Sequence, residues 1–169
     1  PDASGIWAEL ASLYARHNRP SEAIEAGNSS LERDPDNAEA HRTLGLVYAA
    51  RTGARDSPAP DDIEQAVRHL ERARGQTAED AGLYLALGRL YVLGRESEKA
   101  IEVLIELLDS NPRFTEGLAL LGQAHEMRGE WTEAASAYER AVVSSPRRMR
   151  YRRQLANALL NAGRPERAL

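Results

Sequence analysis

Leu87, Gly88 and Tyr91 recur as Leu121, Gly122 and His125, and Ala100, Leu104, Leu107 and Pro112 recur as Ala134, Tyr138, Ala141 and Pro146, each 34 residues further on. A repeat this regular constrains the chain more than its composition does. Each copy is one supersecondary unit that buries its apolar face only by leaning on its neighbours. Within a copy the apolar residues fall three and four apart, which is helical spacing rather than strand alternation. Glycine in a helix interior is about 1 kcal/mol worse than alanine, so Gly45, Gly88 and Gly122 need a reason. Ala11 and Ala156 hold the same position in other copies, while Ala23, Ala66, Ala100, Ala134 and Ala168 hold the facing position on the second helix. Small residues on both sides predict a close approach of two antiparallel helices, with Leu87, Tyr91 and Leu104 filling the remaining space.

The other copies are found by the same register. Trp7, Leu10, Ala11 and Tyr14 open the first, and His41, Leu44, Gly45 and Tyr48 the second; Arg152, Leu155, Ala156 and Leu159 belong to a fifth, partial copy. The spacing predicts first helices near 5–17, 39–51, 82–93, 116–128 and 149–162. Second helices are predicted near 21–33, 62–75, 97–110 and 131–144, with a last one beginning near 165. Asn18, Gly94, Gly129 and Gly163 stand where helix ends need a left-handed residue, and Asp61 with Glu64 reads as a capping pair. The segment 51–62, RTGARDSPAPDD, carries nine residues beyond the usual interval and reads as a loop with room for a binding role.

An opening aromatic, Leu-Gly, Tyr, and later Ala, an aromatic, Ala and Pro within 34 residues is the pattern that this chain resembles: the tetratricopeptide repeat family. Repeats are expected at 4–37, 38–80, 81–114, 115–148 and 149–169, in a single array over residues 1–169. Gly27 and Ser30 in the first copy, Ala78 at the closing proline of the second and Arg152 at the opening of the fifth depart from the pattern. The departures bear on local packing. The resemblance implies an all-α fold, a right-handed superhelix built as a solenoid of antiparallel helix pairs.

Composition excludes other classes. The chain has no cysteine, hence neither disulfides nor thiolate metal sites. No apolar run approaches the roughly 18 residues that would cross a bilayer. Residues 1–80 carry a net charge of −6 and residues 81–169 of +2, so the chain is not globally basic. One lysine beside 21 arginines points to a GC-rich, bacterial coding sequence. His17, His41, His69 and His125 are scattered and form no ligand pair, with His41 and His125 at packing positions of the repeat. Phosphate loops, zinc-protease helices and nucleophile elbows are absent.

The resemblance implies a protein-interaction scaffold without catalysis or cofactor, with a concave groove for a peptide or helix of a partner lined by first helices. The expected lining includes Arg16, Arg42, Leu46, Leu85, Arg89, Val92, Gln123, Glu126, Met127, Arg153 and Asn157. Arginines there would fork onto carboxylates or carbonyls of the partner. Co-chaperone members of the family clamp a carboxylate with five Lys, Arg or Asn residues on three successive first helices. Ala8, Ser12, Thr43, Gly82 and Ala86 stand there in the first frame, and no frame reproduces the clamp. The alternative is self-association through the uncapped C-terminal repeat, since Leu169 falls inside a second helix; the chain also reads as a segment of a longer protein. Nucleic-acid binding through Arg147–Arg153 around Tyr151 is a distant third.

Overall fold

A computed structural model describes residues 3–53, 60–76 and 80–167. Among these are nine α-helices, a closing 3-10 turn and no strand. They are α1 (Ala3–Arg16), α2 (Pro20–Leu31), α3 (Ala38–Gly53), α4 (Pro60–Arg74), α5 (Ala81–Leu93), α6 (Ser97–Ser110), α7 (Thr115–Met127), α8 (Trp131–Ser144) and α9 (Met149–Asn161), with the 3-10 turn at Pro165–Arg167. The fold is all-α, a solenoid of helices. Its contacts group into two compact units, Pro1–Ala86 and Leu87–Leu169. Of the expected loop at 51–62, residues 51–53 finish α3 and 60–62 begin α4, while 54–59 lie outside the described residues. Ala78, Ala168 and Leu169, the last of which carries the expectation of an uncapped repeat, also lie outside them.

The helical glycines have a different partner from the one expected. A Cβ on Gly45 would lie 2.5 Å from Leu70 Cγ, one on Gly88 2.6 Å from Leu104 Cδ2, and one on Gly122 2.6 Å from the Tyr138 ring. Each of these is four residues beyond the facing alanine, one helical turn on. The glycine is the socket for a large side chain, and the alanine lies beside it. In the first pair the sizes are exchanged: α1 carries Ala11, and the equivalent of Leu70 is Gly27. Gly27 in turn receives Leu44 from α3, whose Cγ lies 2.7 Å from where its Cβ would be. Leu44, Leu70, Leu104 and Tyr138 are all fully buried.

The ends of α1, α5, α7 and α9 follow one device. The amide of the residue after the left-handed position reaches the carbonyl five residues back: Arg19 to Tyr14 (3.0 Å), Glu96 to Tyr91 (2.8 Å), Glu130 to His125 (3.0 Å) and Arg164 to Leu159 (2.9 Å). Asn18, Gly129 and Gly163 carry the positive φ as expected, but in the third turn Arg95 (φ 60°) carries it, not Gly94. The glycine there stands one residue too early. The capping expectation also moves. Asp61 lies inside the first turn of α4, and Asp62 pairs with Arg51 at 3.1 Å. The capping side chains are Asn37, whose Oδ1 accepts from the Ala40 amide (2.9 Å), and Asp80, whose Oδ1 accepts from Gly82 (2.9 Å) and Leu83 (3.2 Å).

Ser30 is fully buried, and its hydroxyl donates to the Ser4 carbonyl (2.9 Å). The Ser4 hydroxyl lies 3.0 Å from that of Ser30 and accepts from Asn37 Nδ2 at 3.0 Å. The departure at Ser30 therefore ties α1, α2 and the start of α3 together by hydrogen bonds.

Candidate functional site

In the first unit, Ser12, Ala15 and Arg16 of α1 and Arg42, Thr43, Leu46, Val47 and Ala50 of α3 line an open concavity of about 530 Å³. Three of the expected site residues, Arg16, Arg42 and Leu46, are thus brought together. Arg42 is not free to fork onto a ligand: its Nε donates to Asp80, and Glu39 lies 3.5 Å from its other end. Burial by itself would raise the Asp80 carboxyl. The Arg42 hydrogen bond and charge, with the Leu83 and Gly82 amides, outweigh it and hold the group below the ordinary carboxylate value. Asp80 thus caps α5 and anchors Arg42 at once. Asp80→Ala is expected to lower the stability of this unit by about 1–2 kcal/mol and Asp80→Asn, which keeps a capping oxygen, by about half of that. Urea denaturation of the two variants checks the order.

In the second unit, Arg89, Val92 and Leu93 of α5, Arg95 and Ser97 of the following turn and helix start, and Leu120, Gln123 and Met127 of α7 line a concavity of about 660 Å³. Arg89, Val92, Gln123 and Met127 were expected to line the site. Leu93 and Met127 are exposed apolar side chains, 49% and 39% accessible. Arg89 is held by Glu116. Glu126 serves the interior instead: it accepts the Tyr138 hydroxyl at 2.9 Å. Burial, reinforced by that carboxylate, pushes the Tyr138 hydroxyl up, away from ionisation. Leu85 is half-buried on α5, and Arg153 and Asn157 are exposed on α9; none of the three lines either concavity.

Two of the four histidines are not scattered. His41 on α3 and His69 on α4 are buried with their Nδ1 atoms 2.8 Å apart, and His41 Nε2 lies 2.9 Å from the Pro35 carbonyl. A carbonyl only accepts, so His41 carries its proton on Nε2, and its Nδ1 accepts from His69 Nδ1–H. The Tyr48 ring stacks on His69 with centroids 6.1 Å apart. His125 lies 2.7 Å from Glu130. Among the described residues no group of three or more His, Cys, Asp or Glu side chains is placed to hold a metal ion.

The basic stretch loses its stacking platform. Tyr151 is buried, 5% accessible, with its hydroxyl accepting from Arg150 Nη2 at 3.1 Å. Arg147, Arg148, Arg152 and Arg153 are exposed, and no helix among the described residues is long and apolar enough to cross a membrane.

Comparison with known proteins finds the tetratricopeptide repeat: one profile of it matches residues 61–112, 85–148 and 120–169, and a second matches residues 4–47. The Vi polysaccharide export protein VexE of Salmonella typhi is 26% identical over 147 residues, a match that takes in 87% of this chain and 22% of VexE. The chain therefore spans about a fifth of the length of that relative. Among solved structures, a MamA protein superposes with a TM-score of 0.82 at 22% identity, over 98% of this chain and 85% of MamA. YrrB, described as a TPR protein with an unusual peptide-binding site, gives 0.83 at 21% identity, over 96% of this chain and 79% of YrrB. At these identities the two structures show the fold.

Proposed function

This chain belongs to the tetratricopeptide repeat family, whose members are protein-interaction scaffolds, and we propose that it acts without catalysis by binding a peptide or helix of a partner protein on its first-helix surfaces. The observation that carries the proposal is that expected site residues converge on two open, half-apolar concavities, Arg16, Arg42 and Leu46 in one unit and Arg89, Val92, Gln123 and Met127 in the other. Open, shallow surfaces of this kind suit an extended or helical segment better than an enclosed small molecule. Arg42 and Arg89 position the surface through Asp80 and Glu116, so charge reversal there would confuse folding with binding. Leu46→Glu and Met127→Glu touch no ion pair and leave the helices intact. Each is expected to weaken partner capture by the intact protein at least tenfold with an unchanged helical circular-dichroism spectrum, and capture unaffected by both would refute the proposal.

Self-association is the second reading, favoured by the apolar side chains that α9 exposes, Met149 at 70% and Leu160 at 56%. Light scattering of the wild type against Leu160→Glu decides it: a strict monomer at high concentration excludes it.

A further inference from the structure

The third turn breaks the rule that the other left-handed turns keep. Gly129, Gly163 and Asn18 take the positive φ where the backbone demands it, and Arg95 takes it at 60° although Gly94 stands beside it. Left-handed backbone is strained for a residue with a Cβ, and glycine or asparagine is the unstrained choice. Strain of this kind is retained at sites where the side chain has work to do. The Arg95 side chain is exposed, makes no ion pair or side-chain hydrogen bond among the described residues, and lines the concavity of the second unit. The charges around it are engaged: Arg89 with Glu116, Glu96 with Lys99, and Glu98 with Arg128. Val92, Leu93, Leu120 and Met127 line the same concavity and give it apolar surface.

We propose that the concavity takes a peptide segment presenting a carboxylate next to a large apolar side chain, with the Arg95 guanidinium as the anchor for the carboxylate. The inference rests on reading the concavities as peptide surfaces. A guanidinium forks onto a carboxylate through two parallel hydrogen bonds, and the apolar surface of the same concavity accepts the neighbouring large side chain. Turn strain and binding then pull in opposite directions at one residue. Removing the side chain relaxes the backbone and removes the anchor.

The test is a display library of random twelve-residue peptides selected on the full chain, with the enriched peptides resynthesised and titrated against wild type, Arg95→Gly and Arg95→Lys. Wild type is expected to enrich Asp or Glu adjacent to Leu, Met or Phe. Arg95→Gly is expected to bind those peptides at least tenfold more weakly while melting about 3 °C higher, and Arg95→Lys, which keeps a charge but not the fork, to fall between. Apolar peptides captured without acidic preference would overturn this inference and leave the peptide reading standing. Acidic peptides held equally by Arg95→Gly would overturn it too, since they would then sit elsewhere, for example on Arg147–Arg153. Capture of no peptide by any of the three proteins would overturn the peptide reading and this inference together.

Discussion

Tyr138→Ala is expected to destabilise the second unit by about 3–5 kcal/mol and to reverse the sign of a substitution at Gly122. Tyr138 is fully buried, and a Cβ on Gly122 would lie 2.6–2.8 Å from three atoms of its ring. The ring is tied at its far end, where the hydroxyl donates to Glu126 (2.9 Å) and accepts from Gln154 Nε2 (3.4 Å). It therefore has little freedom to retreat, and Gly122→Ala alone is expected to cost up to about 2 kcal/mol: overpacking of about 1–3 kcal/mol, less the roughly 1 kcal/mol of helix propensity that alanine returns. With Tyr138 already reduced to alanine the overpacking is gone and only the propensity remains, so Gly122→Ala is expected to stabilise that variant by up to about 1 kcal/mol. Gly88 and Leu104 supply the control. Leucine is untethered, so Gly88→Ala is expected to cost less than Gly122→Ala. Urea unfolding of a Trp7→Phe background, in which Trp131 alone reports, gives the cycle. An equal effect of Gly122→Ala with and without the tyrosine ring would mean that the glycines are not sockets.

What the sequence disclosed, and what it hid, follows from the range of each interaction. The interval of Gly45, Gly88 and Gly122 and the apolar spacing around them carried the helices, their pairing and the family, because one register serves every copy. Departures from the register were misread in proportion to their locality. At Leu93–Glu96 the glycine is displaced by one residue, and only the closing bond from Glu96 to Tyr91 shows that the left-handed position falls on Arg95. Gly27 and Ser30 stand out in the sequence only as departures from the pattern, whereas Gly27 admits Leu44 from the next pair and Ser30 exchanges hydrogen bonds with Ser4. Arg42 and Arg89 could not be read as engaged charges, because Asp80 and Glu116, which hold them, are 38 and 27 residues away and obey no period. His41 and His69 belong to different positions of the repeat, so no spacing rule pairs them.

That histidine pair sets the second large expectation: the first unit loses about 2 kcal/mol of stability between pH 6.5 and pH 4. His69 is lowered from its ordinary value to about 4, chiefly by burial, then by His41 and by the charges of Arg68 and Arg72 on its own helix. The imidazole of an unfolded chain takes up a proton near pH 6.5, whereas in the folded unit it stays neutral until about pH 4. Over that window the unfolded state binds a proton that the folded state does not, so acid favours unfolding. The contribution is complete above pH 6.5 and disappears as pH falls through 4. The full shift would amount to about 3.4 kcal/mol at 1.36 kcal/mol per unit, and solvent screening reduces it. Asp80, Glu22 and Glu130, whose carboxyls are also held low, begin to add their losses near pH 5, as pH falls through the ordinary carboxylate value, so the slope between about pH 6.5 and 5 is free of them. His69→Gln provides the decisive comparison. Its amide N–H can still donate to His41 Nδ1 but does not titrate, so the variant is expected to lose about 1 kcal/mol at pH 8 and to lose the slope between about pH 6.5 and 5. Urea midpoints followed through Trp7 in a Trp131→Phe background measure both. A slope that persists in His69→Gln would place the proton uptake on another group and remove the buried pair as the acid-sensitive element of this unit.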